Sequence, residues 1–329
     1  MPGKPFAHPR SPYRARPGPP PSPWARRLRL RDEMADFSVR GFHCGRTESR
    51  RVLERHARSF LAGFNTAVES TTAGTHERLA VLDATERGFA YEGAGMACAL
   101  LDLLRLGRGH RRLTALLDGP GRSHVHLVHV GAGWALARVP LPGARRLLGL
   151  DPLLQWLTLD GHGFSQGFFG GRAALARLAR GHPLRPAGTV RHQGLGRSLW
   201  FIESADPGRI ADTVGAFPAD RRPHLWSGVG LAACYAGGAA DTELDRIRQA
   251  AGPYWHHLAQ GAAFAAQARR LAGHIPAHTH LGVQRLVGVD TVTAADWTVA
   301  ARRKLRGDGT LEDYLTWRET IRDSALASR

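Results

Sequence analysis

Lysine is almost missing from this chain: Lys4 and Lys304 are the only two, and every other basic residue apart from histidine is an arginine. Cysteine is scarce too. Cys44, Cys98 and Cys234 are widely spaced, with no CxxC pair, which argues against a disulfide framework or a zinc site of the usual ligand spacing. Cys98 and Cys234 lie in small-residue apolar runs, where a free thiol packs as a small hydrophobe. No run of about 18 uninterrupted apolar residues occurs, which excludes a membrane-spanning helix and membrane insertion. The N-terminal stretch has no apolar core segment, so it does not read as a secretory signal, and a cytoplasmic location is expected. Also absent are a P-loop, a G-x-S-x-G elbow, an H-E-x-x-H pair and a G-x-G-x-x-G in a strand-to-helix setting.

What is present first is charge: +17 at neutral pH. A substantial part stands before Asp32, the first acidic residue, in a stretch carrying Lys4, Arg10, Arg14, Arg16, Arg26, Arg27 and Arg29. Nine prolines between Pro2 and Pro23 forbid a regular helix there. Residues 1–37 are expected to form a disordered Pro/Arg-rich leader, and residues 38–329 a single helical-repeat domain with a C-terminal cap over about 274–329. The remaining arginines are scattered, often in pairs such as Arg221-Arg222 and Arg269-Arg270. With no helix-turn-helix, zinc-finger or RNP signature beside them, they read as solvated helix faces, and no nucleic-acid partner is expected.

One self-similarity dominates the rest. Glu92-Gly93-Ala94-Gly95-Met96-Ala97 is followed by Val130-Gly131-Ala132-Gly133-Trp134-Ala135, then by Asp160-Gly161-His162-Gly163-Phe164-Ser165. Gln193-Gly194-Leu195-Gly196-Arg197-Ser198, Ser227-Gly228-Val229-Gly230-Leu231-Ala232 and Gln260-Gly261-Ala262-Ala263-Phe264-Ala265 complete the series. A degenerate earlier copy begins at Gly63. The first glycines recur every 30 to 38 residues, close to the period of two-helix repeats. Shorter amphipathic stretches with Asp, Pro and Gly punctuation lie between them, as at Asp206-Pro207-Gly208 and Gly252-Pro253. The expected fold is therefore all-α: a tetratricopeptide-like α-solenoid of about six helix pairs, with a Gly-x-Gly in each first helix. Each glycine costs a helix roughly 1 kcal/mol relative to alanine. Over the series that sums to about 10 kcal/mol, as much as a domain's net stability, so close helix approach must compensate.

In such a stack, equivalent positions form a stripe. The position before the first glycine carries Glu92, Val130, Asp160, Gln193, Ser227 and Gln260; the one before that carries Tyr91, His129, Leu159, His192, Trp226 and Ala259. Glu92, Asp160, His129 and His192 are the candidate acid–base residues, and Tyr91, Gln193, Trp226, Ser227 and Gln260 the candidate ligand contacts. The competing structural reading is that these side chains only hydrogen-bond between repeats. In an open stack Glu92 and Asp160 would lie roughly 20 Å apart, beyond the reach of a carboxylate pair. Only a tightly closed superhelix would join them. The histidines at 124, 126 and 129 and at 274, 278 and 280 read as turn and surface residues, and neither a metal nor a cofactor is expected.

The strings from Tyr91 to Ala97, His129 to Arg138, Leu159 to Phe169, Gly196 to Phe201, Arg221 to Gly238 and Leu258 to Ala268 resemble the UnbL-type proteins, domain-of-unknown-function family 1702. The resemblance spans roughly residues 40–325. It implies a place beside the polyketide synthases of enediyne and related actinobacterial natural-product clusters, but it carries no assigned catalytic residue. Two functions follow as expectations. One is an accessory protein binding a polyketide-derived, polyene-like small molecule or a carrier-protein or synthase partner in a groove. The other is a cofactor-free enzyme acting on such an intermediate by acid–base chemistry in a helical cavity.

Overall fold

In a computed structural model the chain is described over residues 23–105, 111–139, 143–181 and 183–328. Among these residues there are fourteen α-helices and no strand. In chain order they are α1 (Thr47–Glu69), α2 (Thr72–Ala80), α3 (Ala84–Leu104), α4 (Arg112–Asp118), α5 (Val125–Arg138), α6 (Leu157–Ala179) and α7 (Pro186–Ile202). Then follow α8 (Pro207–Gly215), α9 (Arg222–Ala236), α10 (Asp241–Ala251), α11 (Trp255–Leu271), α12 (Ala277–Val287), α13 (Thr291–Lys304) and α14 (Leu311–Ala327). No helix among the described residues is long and apolar enough to cross a membrane.

The glycine-bearing helices α1, α3, α5, α6, α7, α9 and α11 form an inner row, each packed on the next. The central ones are buried nearly all round, as α11 shows from Leu258 to Arg269, the signature of a helix with neighbours on every side, whereas α1 keeps an exposed face. The short outer helices carry ordinary caps. Asp206 accepts from the Arg209 N–H ahead of α8, and Thr310 with Asp313 closes a capping box on α14.

The glycines recur for one reason. A Cβ on the first glycine of each copy would fall far inside 3.0 Å of a carbonyl oxygen on the preceding helix: Phe60 for Gly93, Glu92 for Gly131, Val130 for Gly161, Asp160 for Gly194, Gln193 for Gly228 and Ser227 for Gly261. The second glycine does the same toward the following helix, with Gly95 against Val128, Gly133 against Thr158, Gly163 against Arg191, Gly196 against Leu225 and Gly230 against Leu258. Backbone therefore meets backbone at each step, and the missing side chains allow it. The degenerate first copy is shifted from its expected register. Gly63 lies against the Ala90 carbonyl and is the second glycine of its pair, while Leu61 stands at the first position. Among the described residues no inner helix precedes α1, and none of them requires a glycine there.

The expected alternation of first and second helices holds only in part. Between α5 and α6 the described residues form only 3₁₀ turns, Ala144–Leu148 and Leu154–Trp156, and α7 follows α6 directly. What repeats is the glycine contact, and chain length between contacts is free to vary. The row also curls on itself. His56 of α1 reaches the Ala236 carbonyl of α9 at 2.8 Å, and Arg269 of α11 donates to the Thr85 carbonyl of α3 at 2.8 Å.

Of the expected leader, residues 1–22 lie outside the described residues. Residues 23–37 pack on α1: Asn65 holds the Leu30 N–H and carbonyl at 2.9 Å each, and Ala25, Ala35 and Phe37 are buried. The expected C-terminal cap contributes to the centre, since Tyr314, Trp317 and Arg318 of α14 are buried there.

Candidate functional site

The position before the first glycine faces the axis of the curled row, where its side chains bond to one another. Gln193 Nε2 donates to Asp160 Oδ2 at 2.8 Å. The Ser227 hydroxyl lies 2.9 Å from Gln193 Oε1 and 3.0 Å from Gln260 Oε1. Arg318 Nε approaches Gln260 Oε1 at 3.4 Å. Asp160, Gln193, Ser227 and Gln260 have no exposed surface, so the polar stripe is a buried network and not the lining of an open groove.

Arg197 lies at the heart of it. Its Nη1 donates to Asp160 Oδ1 at 2.5 Å and its Nη2 to Glu92 Oε1 at 3.5 Å. Closure of the row thus brings Glu92 and Asp160 to the two ends of one guanidinium. Trp134 Nε1 adds a third donor, to Glu92 Oε1 at 3.2 Å. Burial pushes the Glu92 carboxyl above its ordinary range. Arg197 pulls the other way, and the Asp160 charge adds to the rise. For Arg197 burial opposes the charge, but Asp160 and Glu92 outweigh it and hold its pKa above the usual value. One cation serves two carboxyls, and Asp160 holds it more closely. Of the pair, Glu92 is the one whose burial favours the protonated form. Both of its donors fall on Oε1, and among the described residues none falls on Oε2.

Two apolar-walled cavities meet at Arg197. The first, a cavity of about 40 Å³, is lined by Glu92 and Arg197 with Phe60, Phe89, Trp134, Phe164, Phe168, Phe169 and Phe201. The rings pack on each other, with Trp134 at 4.6 Å from Phe60 and 4.9 Å from Phe164, centroid to centroid. The Arg197 guanidinium stands 5.0 Å from the Phe164 ring. The second cavity, also of about 40 Å³, is lined by Asp160 and Arg197 with Leu157, Leu231, Tyr235, Phe264 and Trp317.

His56 forms one wall of the first cavity and stacks on Phe89 at 4.2 Å. Its Nδ1 faces Glu86 Oε2 at 2.9 Å and its Nε2 the Ala236 carbonyl at 2.8 Å. Burial would raise the Glu86 pKa, but the hydrogen bond and charge of His56, with Ser59 and Arg55, hold it down to about 2. Two oxygen atoms thus face the ring, one at each nitrogen.

The remaining sequence candidates lie elsewhere. His129 is a structural tie: its Nδ1 donates to the Val125 carbonyl at 2.7 Å and its Nε2 accepts from the Asp151 N–H at 3.1 Å, a neutral tautomer fixed by backbone. His192 points outward, bonded to the Gly188 carbonyl and edge-on to Phe217. Tyr91 bonds His76 and stacks on His124. Trp226 is buried. The stripe two positions before the glycine therefore supplies no partner to the Glu92–Arg197–Asp160 network. The later histidines are dispersed too, His274 to Thr85, His278 to the Tyr235 carbonyl and His280 to Thr291. Among the described residues no group of three or more His, Cys, Asp or Glu is placed to hold a metal ion.

Sequence reasoning missed Arg197 and His56. A signal for Arg197 existed: it occupies the position that holds Met96, Trp134, Phe164, Leu231 and Phe264 in the other copies, the one charge in an otherwise apolar column. His56 precedes the first glycine pair and had no such column to stand out from.

The family model described as "Protein of unknown function (DUF1702)" matches residues 24–325. The chain belongs to that family. No curated protein and no solved structure matches it.

Proposed function

We propose that this protein binds an extended, unsaturated, largely apolar molecule in the aromatic cavity and that Glu92 exchanges a proton with it. The observation that carries this reading is the sharing of one guanidinium by Glu92 and Asp160 at an apolar wall. A carboxyl kept neutral by burial is a general acid at neutral pH. Its proton passes from Oε2 to a carbon of the substrate, and positive charge developing there meets the π faces of Trp134, Phe164 and Phe168. The Glu92 carboxylate, held by Trp134 and Arg197, then takes a proton from a neighbouring carbon. The net change is an isomerisation or ring closure with no atom gained or lost. Asp160 and Gln193 hold Arg197 in place and touch no substrate in the first cavity.

The likeness to the UnbL-type proteins supplies the substrate class: a polyketide-derived, polyene-like intermediate of an enediyne-type pathway. The glycine-paired row is, in this reading, a solenoid curled far enough to enclose its ligand. An accessory role, holding the intermediate or a carrier or synthase partner without converting it, is the second reading. It draws on the aromatic lining alone and has no need of the Glu92 proton.

Native mass spectrometry of the protein from cells that naturally contain it tests both. Wild type and Glu92→Gln carrying ligands of different structure would support proton transfer. Identical ligands on both would leave the accessory role standing. A bare chain in both, with product formation unaffected, would overturn either.

A further inference from the structure

A second cluster of functional groups lies where the inner row meets α14. Thr189 in the first turn of α7, His224 in the first turn of α9, and His256 and His257 in the first turn of α11 come together there. The His224 and His257 rings are 5.7 Å apart and those of His256 and His257 4.5 Å. Arg318, 1% exposed, donates Nη1 to Thr189 Oγ1 at 3.3 Å and Nε to Gln260 Oε1 at 3.4 Å. Its Nη2 is buried without a hydrogen-bond partner among the described residues, as are His224 Nδ1 and His257 Nδ1. Arg322, one turn further along α14, is partly buried and forms no ion pair among the described residues. After burial itself, the charges of Arg318 and Arg322 hold the His224 pKa down, and Arg322, then His256, His224 and Arg318, do the same for His257.

Positive charge dominates this cluster. The three helix N-termini point their dipoles here, and none is capped by the side chain of the residue before it, Arg185, Arg221 or Tyr254. Glu319 and Asp323, beside Arg322 on α14, are the nearby acids, and neither pairs with it within 4.0 Å. Asp160, the acid felt by Arg318, is committed to Arg197. A buried guanidinium with a free N–H and no counter-ion is costly unless something acidic binds to it. The groups left open on the arginines are donors, and donors around helix N-termini fit a tetrahedral oxyanion with several acceptor atoms.

We propose that Arg318, Arg322, His224, His257 and the first turns of α7, α9 and α11 bind a phosphate group, as free phosphate or as a phosphate ester. The site is separate from the aromatic cavity, and its occupancy does not depend on what Glu92 does.

The test uses the full-length protein and inorganic phosphate, with chloride at matched ionic strength as the control for its high positive charge. Thermal unfolding and ³¹P line broadening should both report saturable phosphate binding that chloride does not reproduce. Arg322→Gln and His224→Gln should each weaken it at least about tenfold while leaving the phosphate-free unfolding temperature nearly unchanged. Two separate substitutions keep the test decisive if one fails to fold. Methyl phosphate binding as tightly as inorganic phosphate would identify an ester as the ligand; a preference for inorganic phosphate would identify the free ion. No response beyond chloride, or an undiminished response in the folded variants, would overturn the proposal.

Discussion

The carbonyl oxygen of Asp160 occupies the space in which a side chain on Gly194 would begin. That single contact joins the two parts of the molecule that matter. Asp160 offers its backbone to the helix packing and its carboxylate to Arg197, and Gly194 follows directly on Gln193, which holds the other carboxylate oxygen.

Gly194→Ala should therefore destabilise the protein despite alanine's better helix propensity. The methyl group has no flexible side chain to displace, only backbone, and overpacking of this kind costs about 3 kcal/mol or more. Gly215→Ala in α8, where a Cβ meets nothing within 4 Å, should stay within about 1 kcal/mol of wild type on the stabilising side. Urea unfolding of the two variants checks the contrast; equal effects would refute the contact as the reason for the glycine.

Arg197→Met leaves Asp160 buried without its cation, and a loss of about 3–5 kcal/mol is expected. Adding Asp160→Asn removes the orphaned charge and should recover much of that loss. A double-mutant cycle by chemical denaturation measures the coupling, and simple additivity would mean the ion pair does not hold the centre together.

Two carboxyls give stability opposite pH dependences. The folded-state pKa of Glu86 is depressed to about 2 from 4.5. Its contribution, on the order of 2–3 kcal/mol, is full above pH 4.5 and lost as the pH falls through about 2. For Glu92 the folded pKa is raised, so the folded state holds its proton longer and stability drains away as pH rises above 4.5. Unfolding free energies across that range should show Glu86→Gln flattening the acid limb and Glu92→Gln flattening the decline on the alkaline side.

Ala57 lies at the wall of the aromatic cavity and is only partly buried. Ala57→Phe should fill the cavity and abolish co-purification of any small molecule while leaving the unfolding temperature close to wild type. Undiminished ligand on that variant would move the binding site elsewhere.

Cys98 and Cys234 are buried, and burial raises both thiol pKa values, that of Cys98 to about 12. Cys44 is partly exposed. Thiol titration of the native protein should count one reactive cysteine and the denatured protein three; fast reaction of all three would mean the inner row opens readily.

The sequence by itself determined that the chain is helical and that backbones meet at regular intervals. Both follow from local chemistry: paired glycines in a helix are unfavourable unless something occupies the space, and six copies in phase leave one explanation. It also marked Glu92, Asp160, Gln193, Ser227 and Gln260 as one set, because equivalent positions in a repeat face the same way. It could not tell whether that face looked onto water or onto itself. The answer depends on how far the row curves, a small rotation at each helix crossing that accumulates over the whole array and leaves no trace in any one copy. Curling brings α9 to α1 and α11 to α3, which buries the stripe, turns two distant carboxylates into partners of Arg197, and opens cavities on either side of it. It also separates the two candidate stripes: the one before the glycine turns inward, while Tyr91 and His192 turn toward the outer helices because they project from the opposite flank of the same turns.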